Sequence, residues 1–274
     1  MSVVIITGDH PRHLYFAHEL CNSGKVCGII YEKRAPFIQT ADDFGVLDAH
    51  LADLTNHHFK ARAEAEEQFF GTCSKVSSIP TLTVEQSELN SEKVISFLQA
   101  QKPSLVLSYG CHKLSSELMD SVAPCRFWNT HGGFSPDYRG VATHFWPSYM
   151  LEVEMTGMTL HETTDLIDGG SVIYQTGYDL TKDDTLHMVA GRTVQFYTQK
   201  LVTFLQQLDY TNLPKGIVQK SSGKVWMNND WRPEHLRLIY DFYQDNIVNL
   251  TLSGELKGRK PKLVNALTDQ LKVK

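Results

Sequence analysis

Residues 3–32, "VVIITGDHPRHLYFAHELCNSGKVCGIIYE", decide the fold. "VVIIT" (3–7) is a short β-branched apolar run that stops at Gly8, and "HLYFAHELCNSG" (13–24) repeats apolar residues at helical spacing before closing on Gly24. "VCGIIYE" (26–32) is a second continuous apolar run. A strand that is apolar on both faces needs cover on both, so strand, helix and strand in this order predict a βαβ unit with a right-handed crossover.

The same alternation continues outward. Residues 33–56 carry Pro36 and several Asp without a clear period and are expected to form a long loop, whereas "HHFKARAEAEEQFFG" (57–71) is a strong helix former closed by Gly71. A third βα pair follows, with a helix over 91–103 broken before Pro103 and a central strand in "SLVLSYG" (104–110). A short helix in "KLSSELMDSV" and a strand in "RFWNTH" (126–131) come next. Beyond residue 150, strands are expected in "TGMTLHET" (156–163) and "SVIYQTGYDL" (171–180), and a long helix over 185–208. The fold class is α/β: an open, mostly parallel Rossmann-like sheet with helices on both faces and a small C-terminal extension. The domain expectation is a catalytic unit over 1–190 and an extension over 191–274 made of helix, short β-hairpin, helix and a loose basic end.

Composition sets bounds on function. A chain of 274 residues with 42% hydrophobic residues can bury a full core. The opening "MSVVIITGDH" is too short in its apolar run and too poor in basic flanks for a signal peptide. No segment approaches the roughly 18–20 apolar residues that span a bilayer, so a cytoplasmic location is expected. Five scattered cysteines without C-x-x-C spacing predict reduced thiols rather than a disulfide framework or a zinc site. The net charge of −5 offers no overall basic field for nucleic acid. Residues 191–274 nevertheless hold 13 Lys+Arg against 7 Asp+Glu, which is +6 and leaves −11 for the first 190. The basic run "KGRKPK" (257–262) reads most simply as a solvated end.

The strand "RFWNTH" would end where open α/β sheets place their ligands, and it puts Asn129 and His131 on the same side. An amide, an imidazole and a carboxylate such as Asp168 together cover oxyanion stabilisation, proton movement near neutral pH and orientation of the imidazole. Those are the needs of acyl transfer. On spacing alone the stretch reads rather as a strand end with a solvated or structurally bonded histidine. The turn "TGDHPRHL" (7–14) is not G-x-G-x-x-G, which argues against a dinucleotide site. It opens a helix, and His10, Arg12 and His13 there could meet a phosphate. An ordinary capped turn is the equal alternative. Arg139 could contact substrate or lock its loop, "HFWP" (144–147) reads as core, and Trp226 and Trp231 serve either stacking or packing.

"NTHGGFSPDYRGVATHFWP" (129–147) resembles the signature of the folate-dependent formyltransferases, Asn-x-His followed by Pro and Tyr-Arg-Gly, and "TGMTLHETTDLIDGGSVIYQ" (156–175) is similar to that family's partner segment. "LVLSYGCHKLSSELMD" (105–120) is similar to its strand and turn before a short helix. The resemblance covers about residues 100–180 well and 1–32 generally. It implies Asn129, His131 and Asp168 as the catalytic triad. An amine would attack the formyl carbon of N10-formyltetrahydrofolate, with His131 as base or stabiliser. Asn129 would bind the oxyanion and Asp168 would tune His131, with no metal. It also implies that the pterin lies against backbone at Tyr109, Gly110, Cys111, His112, Lys113 and Leu114 and in the loop from Thr163 through Ile167 to Asp168. The sequence departs from most members where Gly133-Phe134-Ser135-Pro136 replaces Ser-Leu-Leu-Pro, which puts substrate specificity in doubt.

"GKVWMNNDWRPEHLRLIY" (223–240) looks like the C-terminal part of the branch that formylates nucleotide-linked amino sugars for surface polysaccharide such as O-antigen or lipopolysaccharide. The expected partner is therefore a small-molecule amine on a nucleoside diphosphate, with neither membrane nor nucleic acid involved and a homodimer allowed. Methionyl-tRNA, glycinamide ribonucleotide and a folate- or nucleotide-binding module without turnover are the alternatives.

Overall fold

The computed structural model describes residues 2–35, 39–220 and 223–269. Pro36, one basis for the 33–56 loop, and residues 270–274 of the extension lie outside the described residues.

Among the described residues, seven strands form one sheet in the order β3-β2-β1-β4-β5-β7-β8. β1 (Val3–Gly8), β2 (Val26–Glu32), β3 (Thr81–Val84), β4 (Leu105–Tyr109) and β5 (Arg126–His131) run parallel, while β7 (Gly157–Glu162) and β8 (Val172–Gly177) continue the sheet antiparallel. The expected α/β class with a mostly parallel sheet is the observed one. β1 lies at its centre, and its six residues are all buried because both faces are covered. Val3 and Ile5 pack on one side with Phe16, Leu20, Tyr197 and Leu201, from α1 (Pro11–Cys21) and the long helix Leu186–Gln207. Val4 and Ile6 pack on the other with Val94, Leu98 and Leu118, from α3 (Glu92–Gln101) and α4 (Ser116–Asp120). Alternation along one strand thus feeds two cores.

Local signals set the helix ends. Pro11 opens α1, where its missing N–H costs nothing. Lys102 in the left-handed region and Pro103 behind it stop α3. The segment 33–56 is less of a loop than expected, because α2 spans Ala49–Phe70, its first N–H groups capped by the Asp48 carboxylate accepting from Leu51. Hydrophobic period is weak over 49–56, so the cap rather than the pattern marks this start.

Two expectations for the extension need correction. The boundary between residues 190 and 191 would cut α6 (Leu186–Gln207), following the short α5 (Trp146–Tyr149), in its second turn, and α6 packs on α1, α2 and β7. No hairpin forms in the extension among the described residues: β9 (Lys224–Trp226) pairs in parallel with β6 (Tyr138–Gly140), far away in sequence. The basic run is exposed, as expected of a solvated end, but two of its cations have partners. Arg259 Nε and Nη2 each lie 2.7 Å from the Glu152 carboxylate and Nη1 lies 2.6 Å from Asp137, while Lys260 reaches Glu154 at 3.2 Å. Arg259 and Lys260 thus set two tail cations against carboxylates of the first 190 residues. No helix among the described residues is long and apolar enough to cross a membrane.

Candidate active site

β5 ends on the same side of the sheet as the parallel β1 and β4, and its Trp128, one residue before Asn129, is fully buried in the core. Asn129 is in register with Ser108 on β4, whose hydroxyl donates to Asn129 Oδ1 at 2.8 Å. That bond fixes the amide, so Nδ2 is the end presented away from β4.

His131, two residues on, is 6% exposed. Its Nε2–H donates to the Tyr138 carbonyl at 2.8 Å, which leaves Nδ1 facing Asp168 Oδ2 at 3.3 Å. The close return of the chain depends on Gly133, where a Cβ would stand 2.5 Å from the Tyr138 carbonyl and 2.7 Å from His131 Nε2. The glycine pair therefore lets the chain fold back over the imidazole. Burial lowers the His131 pKa, although Asp168 and the Tyr138 carbonyl pull the other way, so the ring is neutral near pH 7 and its Nδ1 is a free base.

Asp168 arrives from the loop between β7 and β8 with φ +45°, a strained conformation for a non-glycine residue. One carboxylate oxygen accepts the Gly140 N–H at 2.8 Å, and the other lies 3.4 Å from His161 Nε2. Burial raises its pKa, but His131, His161 and the Gly140 N–H more than offset this and hold it at about 2. Asn129, His131 and Asp168 are thus brought together as a cluster.

His161 is a member that sequence reading missed. It stands opposite Asn129 in the antiparallel β5–β7 pairing, donates from Nδ1 to the Glu162 carbonyl at 2.8 Å, and turns Nε2 to both Asn129 Nδ2, 3.3 Å away, and Asp168. The alternation of "TGMTLHET" placed it on a strand. Only the register with β5 shows which side chains it meets.

The two loops expected to hold a pterin flank this cluster. Gly110 turns the chain after β4 with φ +64°, and a Cβ there would collide with His13. The next residues are anchored from below: the fully buried Glu32 carboxylate accepts the His112 N–H at 2.9 Å and pairs with the His112 ring and Arg34. Tyr109 and Leu114 are buried, so only their backbone could meet a ligand, and burial pushes the Cys111 thiol up to about 12. In the second loop Ile167 and Leu166 are 50% and 69% exposed, and the buried Thr163 hydroxyl has no partner among the described residues. Lys113 Nζ and Asp165 Oδ1, 3.0 Å apart, join the two loops. Exposed apolar side chains, an orphaned hydroxyl and turn backbone suit a flat heteroaromatic ring with hydrogen-bonding edges.

The first turn is less cationic than its sequence suggests. His13 is buried edge-on against Tyr109, with ring centroids 4.9 Å apart, and burial keeps it uncharged. His10 bonds to the Ala35 carbonyl at 2.8 Å. Arg12 remains charged, held by Glu66 of α2, and Arg62 on the same helix lies near enough to Arg12 that burial and this neighbour lower it to about 9. A small cavity between α1, α2 and α6 is lined by Arg12, Arg62, Glu66 and His187.

Arg139 donates to the Gly223 carbonyl at 3.3 Å and so ties β6 to the start of β9. Phe145 and Trp146 are buried as expected, and Trp226 stacks on Trp146 with centroids 3.9 Å apart. Trp231 packs against Phe44 and Phe59. No group of three or more His, Cys, Asp or Glu among the described residues is arranged to hold a metal ion.

Comparison with known proteins places this geometry. A sugar N-formyltransferase from Shewanella shares the fold with a TM-score of 0.53 at 19% identity, over 87% of this chain and 87% of that one. Glycinamide ribonucleotide transformylase 1 from Symbiobacterium toebii gives a TM-score of 0.50 at 15% identity, over 80% of this chain and 93% of that one. The bifunctional polymyxin resistance protein ArnA of Wigglesworthia glossinidia brevipalpis is 31% identical over 122 residues, which is 44% of this chain and only 18% of that relative's length. The sequence model of the family described as Formyl transferase matches residues 38–205. That match takes in β5, the Asp168 loop and well over half of the 274 residues, so the chain belongs to the formyl transferase family, the one its two motifs resemble.

Proposed function

We propose that the protein transfers a formyl group from N10-formyltetrahydrofolate to a primary amine, and that the amine belongs to a nucleotide-linked amino deoxysugar. The observation that carries the reading is the convergence of Asn129, His131 and Asp168 at the strand ends, inside the segment that matches the family.

Bound N10-formyltetrahydrofolate would supply the formyl carbon, held by the backbone of residues 109–114 and 163–168 with Ile167 and Thr163 beside it. The protein's own groups divide the remaining work. Asn129 Nδ2, fixed by Ser108, is an N–H donor for an oxygen that gains negative charge. His131 Nδ1 is the atom that takes a proton from the incoming amine as the amine nitrogen bonds to the formyl carbon, because Nε2 is committed to the Tyr138 carbonyl; that proton would pass to N10 as the bond from N10 to the formyl carbon breaks and tetrahydrofolate leaves. Asp168, ionised at neutral pH, stabilises the imidazolium that results. The Gly140 N–H keeps the carboxylate turned toward His131.

The choice of acceptor is supported by "GKVWMNNDWRPEHLRLIY", whose first strand lies beside β6 and brings Lys224 and Trp226 next to the site's supporting strand. Arg12, with His10, His13 and Arg62 around it, is the group offered to a phosphate; Arg139 supports the loop. The reaction would serve surface polysaccharide synthesis in the cytoplasm. Incubating the protein with N10-formyltetrahydrofolate and a panel of nucleotide-linked amino sugars, glycinamide ribonucleotide and charged initiator tRNA tests it. Formylation of a 3-amino or 4-amino deoxysugar nucleotide is expected, and formylation of only the other two would refute the acceptor assignment.

A further inference from the structure

Gln219 lies in the stretch after α6, which joins the sheet edge where Val172 and Ile217 exchange two backbone hydrogen bonds of 2.8 Å. Its side-chain amide points at the loop that carries Asp168. Nε2 donates to the Asp168 carbonyl at 2.8 Å and to the Gly170 carbonyl at 2.7 Å, so both hydrogens of one NH2 group are spent on the two carbonyls that flank Gly169. The loop needs such a clamp. Asp168 holds φ +45°, and Gly170 sits so close to the Glu162 carbonyl that a Cβ would not fit. A non-glycine residue stays in the left-handed region only where its surroundings over-determine it. The carboxylate is fixed at its far end by the Gly140 N–H, and β6, which supplies that N–H, is itself paired with β9 just beyond Gln219.

We infer that Gln219 is a positioning residue of the formyl-transfer site, acting through Asp168: it fixes the backbone from which the carboxylate reaches His131. The inference rests on the reading of Asp168 as a partner of His131. Nothing in the 129–147 or 156–175 motifs contains Gln219, which lies 51 residues beyond Asp168 and on the far side of α6.

The test compares Gln219→Met, which keeps the length of the side chain but removes both donors, and Gln219→Leu, which removes them in a shorter, branched and equally uncharged side chain. Each is made alone and with Asp168→Asn. The readout that a merely structural role would not move is the titration midpoint of the His131 imidazole followed by NMR in the ligand-free protein. Asp168→Asn should lower that midpoint, since the carboxylate favours the imidazolium. Gln219→Met and Gln219→Leu should each lower it part of the way and add nothing in the Asp168→Asn background. With an amine identified by the panel, kcat should fall about tenfold while both KM values change less than about twofold. A wild-type midpoint in both Gln219 variants, alongside a shifted one in Asp168→Asn, overturns the role of Gln219 alone. An unshifted midpoint in Asp168→Asn overturns the pairing of Asp168 with His131 and the inference with it. Melting temperatures show whether either variant is folded, and the variant that folds carries the test.

Discussion

Asn129 and His161 face each other across the antiparallel β5–β7 pair, with Asn129 Nδ2 3.3 Å from His161 Nε2. The imidazole also touches Asp168, so one side chain is in contact with two of the three residues assigned to proton and charge handling. His161→Ala should therefore lower kcat by about ten- to a hundredfold, less than loss of His131 itself, with KM for the folate donor little changed. Steady-state kinetics against both substrates decide it, and a wild-type kcat would remove His161 from the site.

His131→Ala and Asn129→Ala should each reduce formyl transfer by about two orders of magnitude or more, since one removes the proposed base and the other the proposed oxyanion donor. Folate binding, measured by titration calorimetry, should survive both changes because the pterin contacts are assigned to backbone. If turnover is absent in the wild type and folate binding is tight in all three proteins, the chain is a binding module.

Stability should fall as the solution is acidified. Burial lowers His58 and His144 to about 3, and drives His13 and His187 well below the ordinary histidine range. Below about pH 6.5 the unfolded chain binds protons that these folded rings refuse, so each can remove up to about 1.4 kcal/mol of stability per pH unit until its own folded pKa is reached. Asp168 acts in the same direction lower down: its contribution is complete above about pH 4 and is lost as pH falls toward 2. Urea midpoints at pH 7.5, 6 and 5 should decrease in that order. Equal midpoints would contradict the burial of these histidines.

Gly140 has φ +92°, and a Cβ on it would run into the Trp226 carbonyl. Gly140→Ala should cost about 1–3 kcal/mol from the backbone alone and should push β9 off β6. Because Gly140 also supplies the N–H that holds Asp168, activity should drop more than the melting temperature alone explains. Full activity in a protein that melts normally would show that β6 can give way.

Arg12→Leu leaves the Glu66 carboxylate, 11% exposed, without its partner. Removing one partner of a buried ion pair costs about 3–5 kcal/mol, and the cost here should be smaller because Arg62 also faces the carboxylate. Arg12→Leu combined with Glu66→Leu should recover most of that loss, while KM for a phosphorylated acceptor stays high in both proteins. A double variant as unstable as the single one would mean that the pair matters for packing rather than for charge.

The sequence by itself determined the parallel α/β core, because apolar period and turn residues act over a few positions and can be read there. "VVIIT", "VCGIIYE" and "SLVLSYG" are strands in the structure where the pattern put them, and alternation along "RFWNTH" put Asn129 and His131 on one side. Recognition of two motifs added Asp168, which no local rule connects to His131. Tertiary structure alone decided what these residues touch. His161 joins Asn129 through an antiparallel register, Gln219 reaches the Asp168 loop from beyond α6, and β9 pairs with β6 rather than with a neighbour in sequence. It also decided that Arg12 meets Glu66 and that His13 is buried and uncharged, so a turn that reads as cationic is mostly neutral. Periodicity records how a segment folds against its own axis; pairing between distant segments depends on complementary surfaces that exist only once both have folded.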